Sequence, residues 1–250
     1  MMRILDTGVA KAEVNMNWDE KLLNELDPAG QPILHLYEWM QPSATFGFFI
    51  QPEKHLNLKQ AEKYHLDWAR RPTGGGIVFH IWDLAFSFLM PSAHPAFSFS
   101  TLENYKFVNE AVLETMREFF SIKGALELIP VSFPSLAPEC QNFCMAKPTQ
   151  YDVVFEGKKI AGAAQRRRKQ GYLHQGTISL AFPQIEILRD VLLVQEDVLQ
   201  AMSSYTFAPL GQNVAPSILK EARQEIQKGL GAKLMEKLSH PVYAKTHGKT

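Results

Sequence analysis

Hydrophobic and polar positions alternate with two different periods along the chain, and the periods divide it into strands and helices. From Leu84 to Met90, the large residues Leu84, Phe86, Phe88 and Met90 interleave with Ala85, Ser87 and Leu89. A period of two predicts a strand with one face fully buried. Ile33–Trp39, Ala44–Ile50 and Ile77–His80 are rich in aromatic and branched residues and read as further strands. Asn15–Leu26 carries acids early and apolar residues at Met16, Leu22, Leu23 and Leu26, which predicts a short helix. A second helix starts after Ser100, with Glu103 placed to complete a capping box. Tyr105, Val108, Val112, Met116 and Phe119 form its apolar stripe, and Gly124 stands where a left-handed stop is wanted.

Farther along, four prolines and both cysteines fall between Pro130 and Pro148 and predict a long loop, a feature uncommon in compact domains unless it has a task. Glu156-Gly157 separates Tyr151–Phe155 from Lys159–Ala164 as a hairpin, and Tyr172–Leu180 supplies another strand. Gln184–Met202 and Pro216–Leu238 read as helices, the second with proline in its first turn. The expectation is an α+β (mixed α/β) fold: one domain over residues 1–240, helices on one side of the sheet, and a disordered tail at 241–250.

Composition narrows the functional classes. The 250 residues hold 26 Lys+Arg and 26 Asp+Glu, a balance that argues against a nucleic-acid partner. The 46% hydrophobic and 11% aromatic content supports a packed core. Two cysteines, Cys140 and Cys144, are too few for a disulfide framework, and no spacing suggests a metal site. The amino terminus has no secretory pattern, and the apolar stretch Ile77–Pro91 is too short to span a bilayer. These points lead us to expect a cytoplasmic protein with no membrane partner.

Several segments could carry chemistry. Arg70-Arg71-Pro72-Thr73-Gly74-Gly75-Gly76 runs into Ile77-Val78-Phe79-His80. Glycines before a strand let a ligand approach exposed N–H groups, and paired guanidinium forks suit a carboxylate or phosphate, so the segment reads as an anion cradle. The bland alternative is a turn with a solvated arginine pair. Gly157-Lys158-Lys159-Ile160-Ala161-Gly162 holds a lysine that could be a plain edge charge. Small neighbours nevertheless leave room for a ligand whose carbonyl or phosphate the ammonium could meet. Cys144 is either a small apolar filler or a nucleophile, and His80 and His174 are either ordinary hydrogen-bonded residues or bases. Arg166-Arg167-Arg168-Lys169 reads as a solvated loop between strands, with a negatively charged protein partner as its second use.

As a set these motifs resemble the family of lipoate–protein ligases and octanoyltransferases related to biotin ligase. The resemblance rests on Arg70-Arg71-x-Thr73-Gly74-Gly75-Gly76-x-Val78-x-His80, on Gly157-Lys158-Lys159-Ile160-Ala161-Gly162-x-Ala164-Gln165 and on Leu173-His174-Gln175-Gly176-Thr177-Ile178. Asp6-Thr7-Gly8, Asn15-Met16-x-x-Asp19-Glu20 and Pro42-Ser43-x-Thr45-x-Gly47 extend it, so that it covers roughly Ile4 to Leu180. It implies a mixed, mostly antiparallel sheet flanked by helices. It also implies a substrate held against Arg70, Arg71, Thr73, Gly74, Gly75, Gly76, His80, Gly162, Ala164, His174, Gly176 and Thr177.

Two reactions occur on that fold. Ligases make an acyl-adenylate from lipoate with ATP and Mg, whereas octanoyltransferases carry the acyl group on a cysteine and need neither. Cys144-Met145-Ala146-Lys147-Pro148-Thr149-Gln150-Tyr151-Asp152 is similar to the transferase cysteine segment in order and spacing, and Asp83-Leu84-Ala85-Phe86-Ser87 resembles that branch's acidic-Leu-x-x-Ser. The chain also lacks room for the extra carboxy-terminal domain of many ligases. The resemblance therefore implies a monomeric acyltransferase with Cys144 and Lys159 as its catalytic pair, the Lys159 charge holding the Cys144 thiolate. The implied donor is octanoyl-acyl carrier protein, and the acceptor a lipoyl domain of a glycine cleavage H protein or a 2-oxoacid dehydrogenase E2. The alternatives are an ATP-dependent lipoate ligase and a non-catalytic protein that binds a lipoyl domain or acyl group. Three departures stand out: Cys140 lies close by, His174-Gln175 replaces the usual Gln-His order, and the Arg166–Lys169 run is unusually basic.

Overall fold

The computed structural model describes residues 1–120, 126–131, 142–146, 148–182, 185–193 and 195–240. The expected stop at Gly124, the alternative nucleophile Cys140 and the tail at 241–250 lie outside them. Among the described residues, ten strands form two sheets. The larger has seven strands in the order β1-β2-β6-β10-β9-β8-β7: β1 (Arg3–Ala10), β2 (Ile33–Trp39), β6 (Asp83–Pro91), β10 (Gly171–Ser179), β9 (Lys158–Arg168), β8 (Val153–Phe155) and β7 (Leu126–Leu128). The smaller orders β4 (Asp67–Arg70), β3 (Ser43–Phe46) and β5 (Ile77–His80). Only β1–β2 and β3–β4 pair in parallel among these ladders, so the sheets are mixed and mostly antiparallel, as expected.

Period-two alternation decides what covers each face of the large sheet. Leu84, Phe86, Phe88 and Met90 point to one face, where α3 (Thr101–Phe120) and α6 (Pro216–Ser239) pack through Val108, Val112, Met116, Ile226 and Leu230. Each large side chain buried there contributes roughly 1.5–3 kcal/mol. Ala85, Ser87 and Leu89 face the other way, and all nine residues of β6 are buried. That second face meets α1 (Ala12–Asn24) through Leu22 and Leu23, so helices cover both sides rather than the one side expected. The small sheet packs with α2 (Leu58–Lys63), α4 (Ile185–Val191) and α5 (Gln195–Tyr205) around a second core of Phe46, Ile77, Phe79 and Leu192.

Several boundaries depart from the sequence pattern for identifiable reasons. β1 was not anticipated: it is an edge strand whose register breaks between Asp6 and Val9, where Gly8 has φ +71°, so its alternation is interrupted. The strand expected over 44–50 ends at Phe46, because Gly47 N–H donates to Gly76 O and Ile50 N–H turns back to Gly47 O. The helix expected over 184–202 is two: Leu192 forms a bridge with Leu56 and Leu193 N–H donates to His55 O between them. Arg166–Arg168 belong to β9 and not to a loop. Arg166 donates to Pro72 O and lies over Phe48, Arg167 donates to Phe99 O, and Arg168 reaches Glu20. The Ser100 cap is present, its Oγ accepting from Glu103 N–H. The hairpin turn at Glu156-Gly157 has positive φ at both residues, as a two-residue connection requires.

Candidate active site

Between the two sheets lies a cavity of about 210 Å³. Its sheet side is built by register. Thr177 of β10 stands opposite Gly162 of β9 and Ala85 of β6, and small residues at Gly162, Ala163, Ala164 and Gly176 keep the floor low. Its loop side is the segment after β4, namely Arg71 to Gly76, together with the short 3₁₀ turn Cys144–Ala146.

Cys144 is half-buried with a free thiol, and Gly76 N–H donates to its Sγ at 3.2 Å. The turn is pinned by a parallel bridge between Phe143 and Ile77 and by Thr206 Oγ1 donating to Met145 O. Gly75 beside it has φ +86°, a left-handed backbone that favours glycine, and a Cβ there would sit 3.3 Å from Arg71 Nη2 and 3.6 Å from Cys144 Sγ. Arg71 thus places a permanent cation beside the sulfur. Its fork donates to Thr45 O, Thr45 Oγ1, Gly74 O and Gly76 O at 2.8–3.1 Å, all neutral oxygens. Burial pulls its pKa below the ordinary guanidinium value, and the neighbouring sulfur works in the opposite sense.

Lys159 is buried, and its Nζ makes an ion pair with Asp152 Oδ2 at 2.8 Å and donates to Cys144 O at 3.0 Å. Its charge thus rests on a carboxylate and on the cysteine's carbonyl, while Arg71 and Gly76 attend the sulfur. Asp152 also accepts from Thr149 N–H, Thr149 Oγ1 and the Tyr105 hydroxyl. Burial and the adjacent Asp152 hold the Tyr105 hydroxyl pKa well above its usual value, so that it stays a donor. Gly162 is required by close approach, because a Cβ there would fall 2.4–2.5 Å from the end of Lys159 and 2.6 Å from Asp152 Oδ1.

His80 faces the cavity from β5. Its Nδ1 meets Asp83 Oδ2 at 2.6 Å, its Nε2 meets Thr45 Oγ1 at 2.8 Å, and its ring stacks on Trp39. Thr177 Oγ1 donates to the same Asp83 oxygen. Burial opposes the Asp83 charge, yet His80 and Thr177 hold its pKa below the usual carboxylate range. Beyond Thr177, Gln175 lines the cavity and links Thr73 Oγ1 to Asp19, which accepts from Ser87 and pairs with His35.

Of the residues expected at the site, Arg71, Gly75, Gly76, His80, Cys144, Lys159, Gly162, Ala164, Gly176 and Thr177 line this one cavity. Four do not. Arg70 is exposed, donates to Phe48 O and Ile50 O, and lines a separate groove. Thr73 is buried behind the loop on Gln175, and Gly74 lies outside the lining. His174 sits on the opposite face of β10, near Tyr105 and Phe86, and burial lowers its pKa to about 3. The arginine pair is accordingly not an open anion cradle: one member clamps the loop and the other caps an outer turn. Tyr37, Thr45, Phe143 and Thr149 also line the cavity without having been expected there, and Tyr105 steadies it from the helix face through Asp152 and Ala163. The i, i+2 run His35-x-Tyr37-x-Trp39 could have revealed Tyr37.

A free thiol, a buried lysine and a glycine loop between a mixed sheet and its smaller partner define a catalytic domain of the lipoate-ligase fold. The bipartite lipoate protein ligase of Thermoplasma acidophilum aligns with a TM-score of 0.65 over 100% of this chain and 99% of its own, at 20% identity. Lipoate-protein ligase A bound with ATP aligns with a TM-score of 0.64 over 98% and 96%, at 21% identity. The chain belongs to the lipoyl protein ligase A/B catalytic domain family, whose profile matches residues 11–222. Octanoyltransferase LipM of Halalkalibacterium halodurans is 33% identical over 185 residues, covering 71% of this chain and 65% of the relative. Its counterpart in Staphylococcus aureus is 27% identical over 245 residues, covering 92% and 87%. The chain thus spans just under two thirds of the length of the Halalkalibacterium relative. Among the described residues, no helix is long and apolar enough to cross a membrane.

Proposed function

We propose that the protein is an octanoyltransferase of lipoate metabolism. Cys144 takes an octanoyl group from a carrier-protein thioester and passes it to a lysine of a lipoyl domain. The observation that carries this reading is the pair of contacts at Cys144: a backbone N–H on its sulfur and a buried lysine on its carbonyl. Gly76 N–H and the Arg71 charge stabilise a thiolate, which is the nucleophilic form. The sulfur attacks the acyl carbonyl, the donor's C–S bond breaks, and the donor leaves as a thiol carrying the proton from Cys144. The small residues Gly162, Ala163 and Ala164 leave room for the tetrahedral carbon. Lys159, held by Asp152, stands within reach of its oxygen, a donor worth roughly 3 kcal/mol in such a position. The acceptor's neutral lysine amine then attacks the Cys144 thioester, forming an amide and returning the thiol.

Thioester aminolysis is downhill, so the reading assigns the reaction no ATP, metal or other cofactor. It further takes the enzyme to be a cytoplasmic monomer of one catalytic domain over residues 1–240, with an H protein or an E2 lipoyl domain as acceptor. The names of the LipM relatives support the transfer, and the T. acidophilum ligase was solved as part of a system with its own E2 lipoyl domain. The test is incubation with octanoyl-acyl carrier protein without ATP, followed by mass spectrometry. A hydroxylamine-labile octanoyl adduct on Cys144 is expected, and Cys144→Ala should lose both adduct and transfer. Full transfer by Cys144→Ala would sink the covalent scheme. An ATP-dependent ligase, for which the buried Lys159 would hold a phosphate, predicts instead an acyl-adenylate and indifference to Cys144→Ser.

A further inference from the structure

The face of the large sheet that meets α1 carries a polar row across three strands. His35 of β2, Ser87 of β6 and Gln175 of β10 are register partners, and the next position in the row, Ala164 of β9, lines the cavity. The three polar side chains converge on Asp19 of α1, which is fully buried. His35 Nδ1 meets Asp19 Oδ1 at 2.7 Å, while Ser87 Oγ and Gln175 Nε2 donate to Oδ2 at 2.6 and 2.5 Å. Apolar clusters flank the row, with Leu23, Leu89 and Leu173 on one side and Met16, Tyr37 and Ala85 on the other. Apolar residues of similar volume often stabilise such a place as well as a buried carboxylate and its partners do. They cannot give an amide a direction.

Direction is what Gln175 requires. A carboxylate only accepts, so the Gln175 amide turns its nitrogen to Asp19, and Met16 Sδ lies 3.3 Å from the same nitrogen. Oε1 is left facing the loop, where Thr73 Oγ1 donates to it at 2.6 Å. Thr73 stands three residues before Gly76, whose N–H donates to Cys144 Sγ. Arg71 ties that loop to itself and to Thr45 of the small sheet. Thr73, together with Arg166 on Pro72 O, ties it to the large one.

We infer that Asp19 is a positioning residue for the thiol: it fixes the direction of the Gln175 amide, the amide anchors Thr73, and the anchored loop keeps the Gly76 N–H on the Cys144 sulfur. Asp19 lies outside the cavity lining and acts through Gln175. Gln175 lines the cavity, yet its nitrogen is engaged by Asp19 and its oxygen by Thr73, which makes it a tie between sheet and loop. The inference rests on the acyl-transfer reading for the use of the thiol and adds the residue that holds it ready. Losing the anchor frees the loop at Thr73, and a backbone N–H that drifts by an ångström no longer stabilises a thiolate.

The experiment uses the full chain and two readouts. The pH midpoint of Cys144 alkylation by iodoacetamide, followed by mass spectrometry of the Cys144 peptide, reports the thiolate and needs no acyl donor. Thioester formation with octanoyl-acyl carrier protein gives kcat and KM. Asp19→Ala should raise the alkylation midpoint by about one pH unit, the loss of one hydrogen bond to the charged form. Its kcat should fall roughly tenfold while KM stays within about twofold. Asp19→Asn, which still offers one acceptor, should recover part of both. Thr73→Val cuts the last link alone and should shift the midpoint as far, and Thr73→Ser should restore it. Should Asp19→Ala not fold, Gln175→Met, which keeps the length and loses the amide, answers in its place. A folded variant with an unchanged alkylation midpoint overturns the inference even where its denaturation midpoint falls, because a purely structural role would give that result. A midpoint that moves for Thr73→Val and not for Asp19→Ala removes Asp19 from the role. If the midpoints shift as stated while wild type forms no acyl-Cys144 with the donor, the tie stands and the transferase reading falls.

Discussion

The cavity has two walls made by different means. On the sheet side, β6, β10 and β9 hold Ala85, Thr177 and Gly162 in line through long antiparallel ladders, and no residue there depends on a single contact for its place. On the loop side, the backbone from Arg71 to Gly76 follows no regular ladder. It is held by one guanidinium that donates to three carbonyls and a hydroxyl, by Gly47 N–H and by the bridge between Ile77 and Phe143. The sheet wall shapes the space, and the loop wall presents Cys144 and the N–H that faces it. Precision on the loop side is therefore concentrated in a few residues, while on the sheet side it is spread over many.

The largest effect should come from breaking the clamp. Arg71→Ala takes a charged donor from four acceptors, of which Gly76 O keeps Gly47 N–H, a cost on the order of 5 kcal/mol. Chemical denaturation should show that loss together with a collapse of thioester formation. Arg71→Lys should recover only part of both, since one ammonium cannot span four acceptors. An unchanged midpoint for Arg71→Ala would mean that the loop is held from elsewhere.

The next effect lies on the far face of the sheet wall. His174 has a folded pKa of about 3 against an ordinary histidine value of 6.5, because burial penalises its charge. Between those values the unfolded chain binds the extra proton, so stability is intact above pH 6.5 and falls as the pH drops toward 3. The total is about 5 kcal/mol, and His174→Gln should flatten that part of the pH–stability curve. Identical slopes for the two proteins would show that His174 is solvated.

Gly162→Ala tests the sheet wall at its tightest point. The added methyl displaces Lys159 and should lower transfer about 100-fold, as ångström-scale misplacement of a catalytic group does. Melting should change far less than for Arg71→Ala, and a fall in stability as large as the fall in rate would blur the contrast between the walls. Smallest of all, Arg70→Ala should leave transfer within roughly twofold and stability within about 0.5 kcal/mol, since that side chain is exposed and outside the cavity. A loss comparable to that of Arg71 would return the arginine pair to a shared role.

The same contrast explains what could be read from the chain. β2, β5, β6, β10 and α6 are legible because period two or an apolar stripe records burial directly in residue order. Cys144, Lys159, Gly162 and Thr177 are legible as members of a motif set, and they converge on one cavity. What escaped depends on geometry that adjacent letters do not encode. Arg70 and Arg71 are neighbours in sequence, but strand alternation sends one outward and the other under the loop. His174 and Gln175 are separated by the same rule. The basic run looked like a loop because its charges suggest solvent, yet Arg166–Arg168 extend β9 and hold its neighbours.

The chain of contacts from Arg71 through Thr45 and His80 to Asp83 has a direction. Arg71 can only donate, so the Thr45 oxygen accepts; a carboxylate at Asp83 can only accept, so the hydrogen on His80 Nδ1 is the one that meets it. In the ring form that has no hydrogen on Nε2, the Thr45 hydroxyl points its own hydrogen at that nitrogen. Every link runs the same way, and both ends are blocked, one by a cation that has no acceptor and the other by an anion that has no donor. A proton could pass along such a line only if each member turned over in concert. Both nitrogens of His80 are taken, one by Asp83 and one by Thr45, so the ring braces the cavity wall and leaves no nitrogen free to meet the thiol.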